Sequence, residues 1–113
     1  MYILATLVSN LEAALTISPS SKPLDGQLRL VDFPAVPASE VKDIFGMAFN
    51  RGKHIEHESV GYTSIEGLRI DFDESDARWR RICVDGKIIR VPEDGWVEVK
   101  LEAGDVADLM IAA

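Results

Sequence analysis

The stretch Ile82-Cys83-Val84-Asp85-Gly86-Lys87-Ile88-Ile89 decides the fold: two short β-prone runs joined by an Asp-Gly dipeptide. A two-residue type I′ turn needs positive φ at both central positions, and Asp-Gly supplies that at little cost. The turn fixes a register in which Val84 faces Lys87, Cys83 faces Ile88, Ile82 faces Ile89 and Arg81 faces Arg90. Ile82, Val84, Ile89 and Val91 are then expected to share one buried face. The opposite face carries Cys83, Ile88 and the two arginines, with Trp79 just upstream. Like charges directly opposite on a sheet repel, so a carboxylate or an anion must lie near Arg81 and Arg90. Asp71 and Asp73 are the expected partners. Cys83, inside a strand, is expected to be a packed and inert thiol.

Working outward from the hairpin, most of the chain reads as strand. Residues 2–8 are apolar on both alternating faces, which predicts a strand buried on both sides. Residues 10–17 mix helical spacing (Leu11, Ala14, Leu15) with the β-prone Leu15-Thr16-Ile17. Ser18-Pro19-Ser20-Ser21-Lys22-Pro23 reads as a polar loop. Asp25-Gly26 turns the chain into a strand over 27–31 that carries Leu28 and Leu30 on one face. Alternation predicts further strands over 59–64 and 68–73, the latter nearly ideal with Leu68, Ile70 and Phe72 against Arg69, Asp71 and Asp73. Asp94-Gly95 leads to a strand over 96–101, and 102–105 to a last strand around 106–111.

One helix interrupts this pattern. Val41, Ile44, Phe45, Ala48 and Phe49 form an apolar stripe at helical spacing. Ser39 is the expected N-cap with Glu40 in the first turn, and Gly52 the expected C-terminal glycine, with Arg51 and Lys53 at the negative end of the dipole. The fold class these elements imply is mainly β: an antiparallel β-sandwich with one packed α-helix, in a single domain over residues 1–113.

Composition bounds the function. The chain has 113 residues, enough for one compact core, with 47% hydrophobic and 27% charged residues, as in ordinary globular domains. A net charge of -7 argues against nucleic acid as a partner, because such binding rests on an excess of Lys and Arg. A single cysteine permits no internal disulfide and points to a reducing, cytoplasmic setting. The apolar start lacks a basic region and is too short for a membrane span; it reads as the first strand of a domain cut from a longer chain. No P-loop, dinucleotide fingerprint or paired-cysteine metal spacing occurs. His54 and His57, flanked by Glu56 and Glu58, lack a placed third ligand, so no metal site is expected.

Three landmarks occur in order: Pro23-Leu24-Asp25-Gly26-Gln27-Leu28-Arg29-Leu30-Val31; the helix followed by Arg51-Gly52-Lys53-His54; and Leu68-Arg69-Ile70 followed by Val84-Asp85-Gly86-Lys87. This series resembles the C-terminal half of the sphingosine kinase and diacylglycerol kinase family of lipid kinases. Gly-Lys-His after the helix favours the sphingoid-base branch. The resemblance implies a C-terminal β-sandwich domain that contributes most of the lipid pocket. A separate N-terminal α/β domain would carry the nucleotide loop and the catalytic aspartate, so no catalytic residue is expected in these 113 residues.

The resemblance also implies site residues. Asp85 and Gly86 match the first two positions of an Asp-Gly-Glu turn at the nucleotide cleft, and Lys87 stands where a glutamate is usual. Phe45, Ala48, Phe49, His54, Leu68 and Ile70 match the apolar wall around the sphingoid tail. The implied cofactors are ATP and Mg²⁺ in the full-length enzyme, none of them held tightly by this part alone. The implied partners are a sphingoid-base or related lipid, the N-terminal kinase domain and, for the full-length protein, the membrane periphery. The rival expectation is a non-catalytic, β-rich ligand-binding or protein-interaction module.

Overall fold

Alternation and turn chemistry resolve into short antiparallel strands and one α-helix. The computed structural model describes residues 2–22, 26–101 and 107–112. The expected Asp25-Gly26 turn lies partly outside these residues, and the lead into the last strand over 102–106 wholly outside. The fold is mainly β, and the chain divides at Glu66/Gly67 into two compact units.

In the first unit, β1 (Tyr2–Thr6), β4 (Leu28–Phe33) and β5 (Gly61–Ile65) form an antiparallel sheet in the order β1-β4-β5, and β2 (Asn10–Glu12) pairs with β3 (Leu15–Thr16) in a small hairpin. The central strand is β4, with Leu28, Val31 and Phe33 exposed by only 2%, 1% and 4%. Strand β1, expected to be covered on both faces, is instead an edge strand whose Tyr2–Ala5 stretch is half-buried. On one of its faces, Tyr2 stacks on Phe33 with ring centroids 4.8 Å apart.

Helix α1 (Ala38–Ala48) packs on that face. Phe45 meets Tyr2 and Phe33 edge-on at 5.5 and 6.4 Å, and Ala48 joins Ile17 and Val31 in the buried cluster. Each large apolar side chain buried there contributes about 1.5–3 kcal/mol. The N-cap is Pro37 rather than Ser39: the Pro37 carbonyl accepts from the backbone of Glu40 and Val41, and no side chain caps the helix. Proline reaches this position because its fixed φ suits helix entry, which leaves Ser39 inside the first turn. No basic residue falls in the last turn, so Arg51 and Lys53 lie beyond the dipole's reach. Gly52 is not the helix's C-terminal glycine, because the helix ends at Ala48 with Phe49 as its C-cap; with φ 75° Gly52 instead caps the start of a 3₁₀ turn over Lys53–Glu56 that the alternation did not predict.

In the second unit, β6 (Gly67–Asp71), β9 (Trp96–Leu101) and β10 (Ala107–Ala112) form a sheet in the order β10-β9-β6, and β7 (Arg81–Val84) pairs with β8 (Lys87–Arg90). The register of β7 and β8 is the one the Asp-Gly turn dictates, from Arg81↔Arg90 to Val84↔Lys87. Both turn residues have positive φ, 48° at Asp85 and 82° at Gly86. Ile82, Val84 and Ile89 are half-buried and Val91 is 2% exposed. A 3₁₀ turn over Ala77–Trp79 precedes β7. No helix among the described residues is long and apolar enough to cross a membrane.

Candidate functional site

The hairpin turn is built from its strands upward. Arg80 anchors its base: the buried guanidinium donates from Nε to the Val91 carbonyl at 3.1 Å and from Nη1 to the carbonyls of Glu74 and Ser75 at 2.9 and 2.7 Å. A cation satisfied by three carbonyls needs no carboxylate, and it ties the 74–75 turn to the start of the hairpin. Arg80 was not singled out in the sequence because it sits in an Arg-Trp-Arg-Arg run whose members look alike. Its only signal is its place opposite Val91 once the register is extended by one pair.

Asp85, Gly86 and Lys87 are all exposed at the far end. A Cβ built at Gly86 would meet nothing within 4 Å, so the glycine answers to φ rather than to crowding. On the outer face, Arg81 and Arg90 stand opposite each other, exposed. The expected partners do not serve them. Asp71 is held by its own strand neighbour, Arg69, at 3.0 Å, and Asp73 forms no ion pair with either arginine. Asp76 feels the positive field of Arg81, but its hydrogen-bonded partner is Arg78, which is the main cause holding its carboxyl below the usual range. Cys83 is exposed rather than packed. A two-stranded sheet covered on one side leaves the other side to solvent, and Cys83 lies on that side.

The residues of the expected apolar wall divide between the two units. In the first, Phe45 and Ala48 lie on the inner side of α1, whereas Phe49, at the C-cap, is 50% exposed because the helix ends before it. His54 is 1% exposed. Its Nε2 lies 2.9 Å from the Ile17 carbonyl; a carbonyl only accepts, so Nε2 carries the proton. Nδ1 is then a buried acceptor with no partner. Burial pushes the histidine pKa down, offset in part by the backbone at Ile17 and Gly52. In the second unit, Leu68 and Ile70 lie half-buried on one face of β6, opposite Val99 and Val97 of β9, which in turn face Leu109 and Ile111 of β10. That face is continuously apolar across three strands.

Two polar features went unread in the sequence. Ser18-Pro19-Ser20-Ser21 looked like a solvated loop, yet Ser18 is 0% and Ser21 6% exposed. The Ser18 hydroxyl shares 2.7 Å hydrogen bonds with Ser21 and with Tyr62, the Ser20 amide donates to Tyr62 Oη at 3.0 Å, and Arg29 donates to Ser21 at 3.1 Å. Tyr62 supplied a faint signal, since a buried tyrosine hydroxyl seeks a partner. The two histidines also part company. His57 faces Glu40 at 3.8 Å, and Ser59 donates to the same carboxylate at 2.8 Å, while His54 points to Ile17. Among the described residues, no group of three or more His, Cys, Asp or Glu is gathered that could hold a metal ion.

Comparison with protein families, curated proteins and solved structures yields no match for this chain.

Proposed function

We propose that the chain is the C-terminal, lipid-binding part of an ATP-dependent lipid kinase that phosphorylates a sphingoid long-chain base. The observation that carries this reading is the exposed Asp85-Gly86 turn, in left-handed backbone at both positions, with the Lys87 ammonium following it and two further exposed arginines on the adjoining face. Phosphoryl transfer is mostly positioning and charge neutralisation, and these groups suit the phosphate chain of a nucleotide. Lysine acts there as a point charge and cannot accept a proton from the substrate or ligate a metal. The described carboxylates form no metal-ligating group, so no step is assigned to Mg²⁺ on this chain. For the lipid tail, the support is apolar surface in each unit taken by itself: the inner side of α1 at Phe45 and Ala48 with the buried His54 in the first, and the strand face that carries Leu68 and Ile70 in the second.

The test is a thermal shift of the chain titrated with sphingosine, with a short-chain amine of equal charge as control. Specific binding stabilises the folded state by about 2–3 kcal/mol at a roughly hundredfold excess of ligand over Kd. The melting temperature should rise and saturate with sphingosine and stay level with the short amine. No rise up to the solubility limit of sphingosine refutes the lipid-binding reading and favours an interaction module.

A further inference from the structure

Within residues 77–91 the chain concentrates charge of one sign. Five of its twelve Lys and Arg side chains lie there, against the single carboxylate of Asp85, in a protein whose net charge is -7. Arg80 is consumed by backbone carbonyls and Arg78 by Asp76. Arg81, Lys87 and Arg90 remain exposed, and their side chains make no hydrogen bond or ion pair among the described residues. Arg81 and Arg90 are directly opposed across the strands, an arrangement that costs free energy until a negative charge is brought up.

Lys87, paired with Val84, belongs to the other face, and the face of Arg81 and Arg90 also carries Ile88. Ile88, opposite Cys83, is 67% exposed, and so is Trp79, which leads into β7. Exposed apolar side chains rimmed by charge mark interaction surfaces. Tryptophan and an aliphatic side chain beside arginines are the combination that settles at a bilayer interface: the rings and methyls enter the acyl boundary and the cations meet the headgroups.

We propose that the outer face of the β7–β8 hairpin, with Trp79, is a docking surface for an anionic phospholipid bilayer. Charge complementarity selects this occupant. A nucleic acid would leave the exposed Ile88 without a role, whereas a bilayer takes the arginines at its headgroups and the apolar side chains at its acyl boundary. The inference does not rest on the lipid-kinase reading: it concerns headgroups and a surface, not a pocket for one lipid tail.

The experiment is co-sedimentation of the full chain with phosphatidylcholine vesicles, with and without phosphatidylserine, at low and high salt. Binding is expected only with phosphatidylserine and should weaken as salt rises. The variant R81Q/R90Q should bind roughly thirtyfold more weakly, and Ile88→Ser should weaken binding while leaving the salt dependence in place. Trp79→Phe should abolish any blue shift of emission on vesicles, because Trp96 lies outside the hairpin. All four substitutions are at exposed positions, and an unchanged melting temperature establishes that the variants fold. Equal binding to neutral vesicles, or none to phosphatidylserine, overturns the proposal. So does an oligonucleotide or inorganic phosphate that binds the hairpin face while phosphatidylserine vesicles do not.

Discussion

His54 is sealed from water at 1% exposure, oriented by one bond to the Ile17 carbonyl and left with an unpartnered Nδ1. The neutral ring is tolerated there; a second proton would put a charge into the same space. Burial therefore lowers the folded-state pKa below the unfolded value of about 6.5. Because the unfolded chain takes up the proton first, this group's contribution is complete above the unfolded pKa and is lost as pH falls through the folded one. Urea midpoints of the protein should drop below neutral pH, and the His54→Leu variant should lose that component of the slope. The variant should also be destabilised at neutral pH by about 1–3 kcal/mol, because the Ile17 carbonyl loses its buried donor. Parallel pH profiles for the two proteins would show that His54 is not the titrating group. The ring's position explains why its reading from sequence could stop at an apolar wall: Gly52-Lys53-His54 announces a turn after a helix, and nothing in it says that the histidine reaches the Ile17 carbonyl.

At the scale of elements, two glycines with nearly the same φ separate backbone strain from crowding. Gly86 has φ 82° and open space around an added Cβ, whereas Gly52 has φ 75° and would press that Cβ against Pro19 Cβ at 3.0 Å and Thr16 Cγ2 at 3.2 Å. Gly86→Ala should cost only the left-handed penalty, about 1–2 kcal/mol, and Gly52→Ala that penalty plus displacement of the Pro19 segment from the buried cluster. Urea denaturation of both variants checks the order, and equal losses would mean that the 16–19 segment yields freely. The hairpin was legible because its turn chemistry is local: Asp-Gly sets both φ values, and the register follows by counting. The helix stripe was legible in the same way for four of its five members: Ile44 and Ala48 are buried and Val41 and Phe45 half-buried, while Phe49 at the C-cap is exposed. The parts that escaped depend on distant partners. Ser18 is bonded by Tyr62, 44 residues along the chain, and Ser21 by Arg29 of the next strand. Strand β1 became an edge because β4 took both of its neighbours. Cys83 is exposed because the β7–β8 sheet is covered on one face only, and alternation cannot tell which apolar face will find a partner.

Over the whole molecule, the groups on hand set what the chain can do by itself. Moving a phosphoryl group to a lipid hydroxyl calls for a nucleotide cradle, a base for the hydroxyl and neutralisation of the phosphate charge. The sequence offers no glycine-rich phosphate loop anywhere in its 113 residues. Several described carboxylates are already engaged: Asp71 by Arg69, Asp76 by Arg78, Glu98 by Lys100 and Glu40 by Ser59. On the β7–β8 hairpin, Arg81, Lys87 and Arg90 stay unengaged, and these cations answer to phosphate charge rather than to proton abstraction. On the lipid-kinase reading, the chain therefore binds lipid and contributes cations but does not turn over. Incubated with labelled ATP, Mg²⁺ and sphingosine, it should release no phosphorylated lipid, even under conditions where sphingosine raises its melting temperature. Product formed in proportion to protein, and abolished by Lys87→Met, would show that these residues hold a complete phosphotransfer site and that the division of labour proposed for them is wrong.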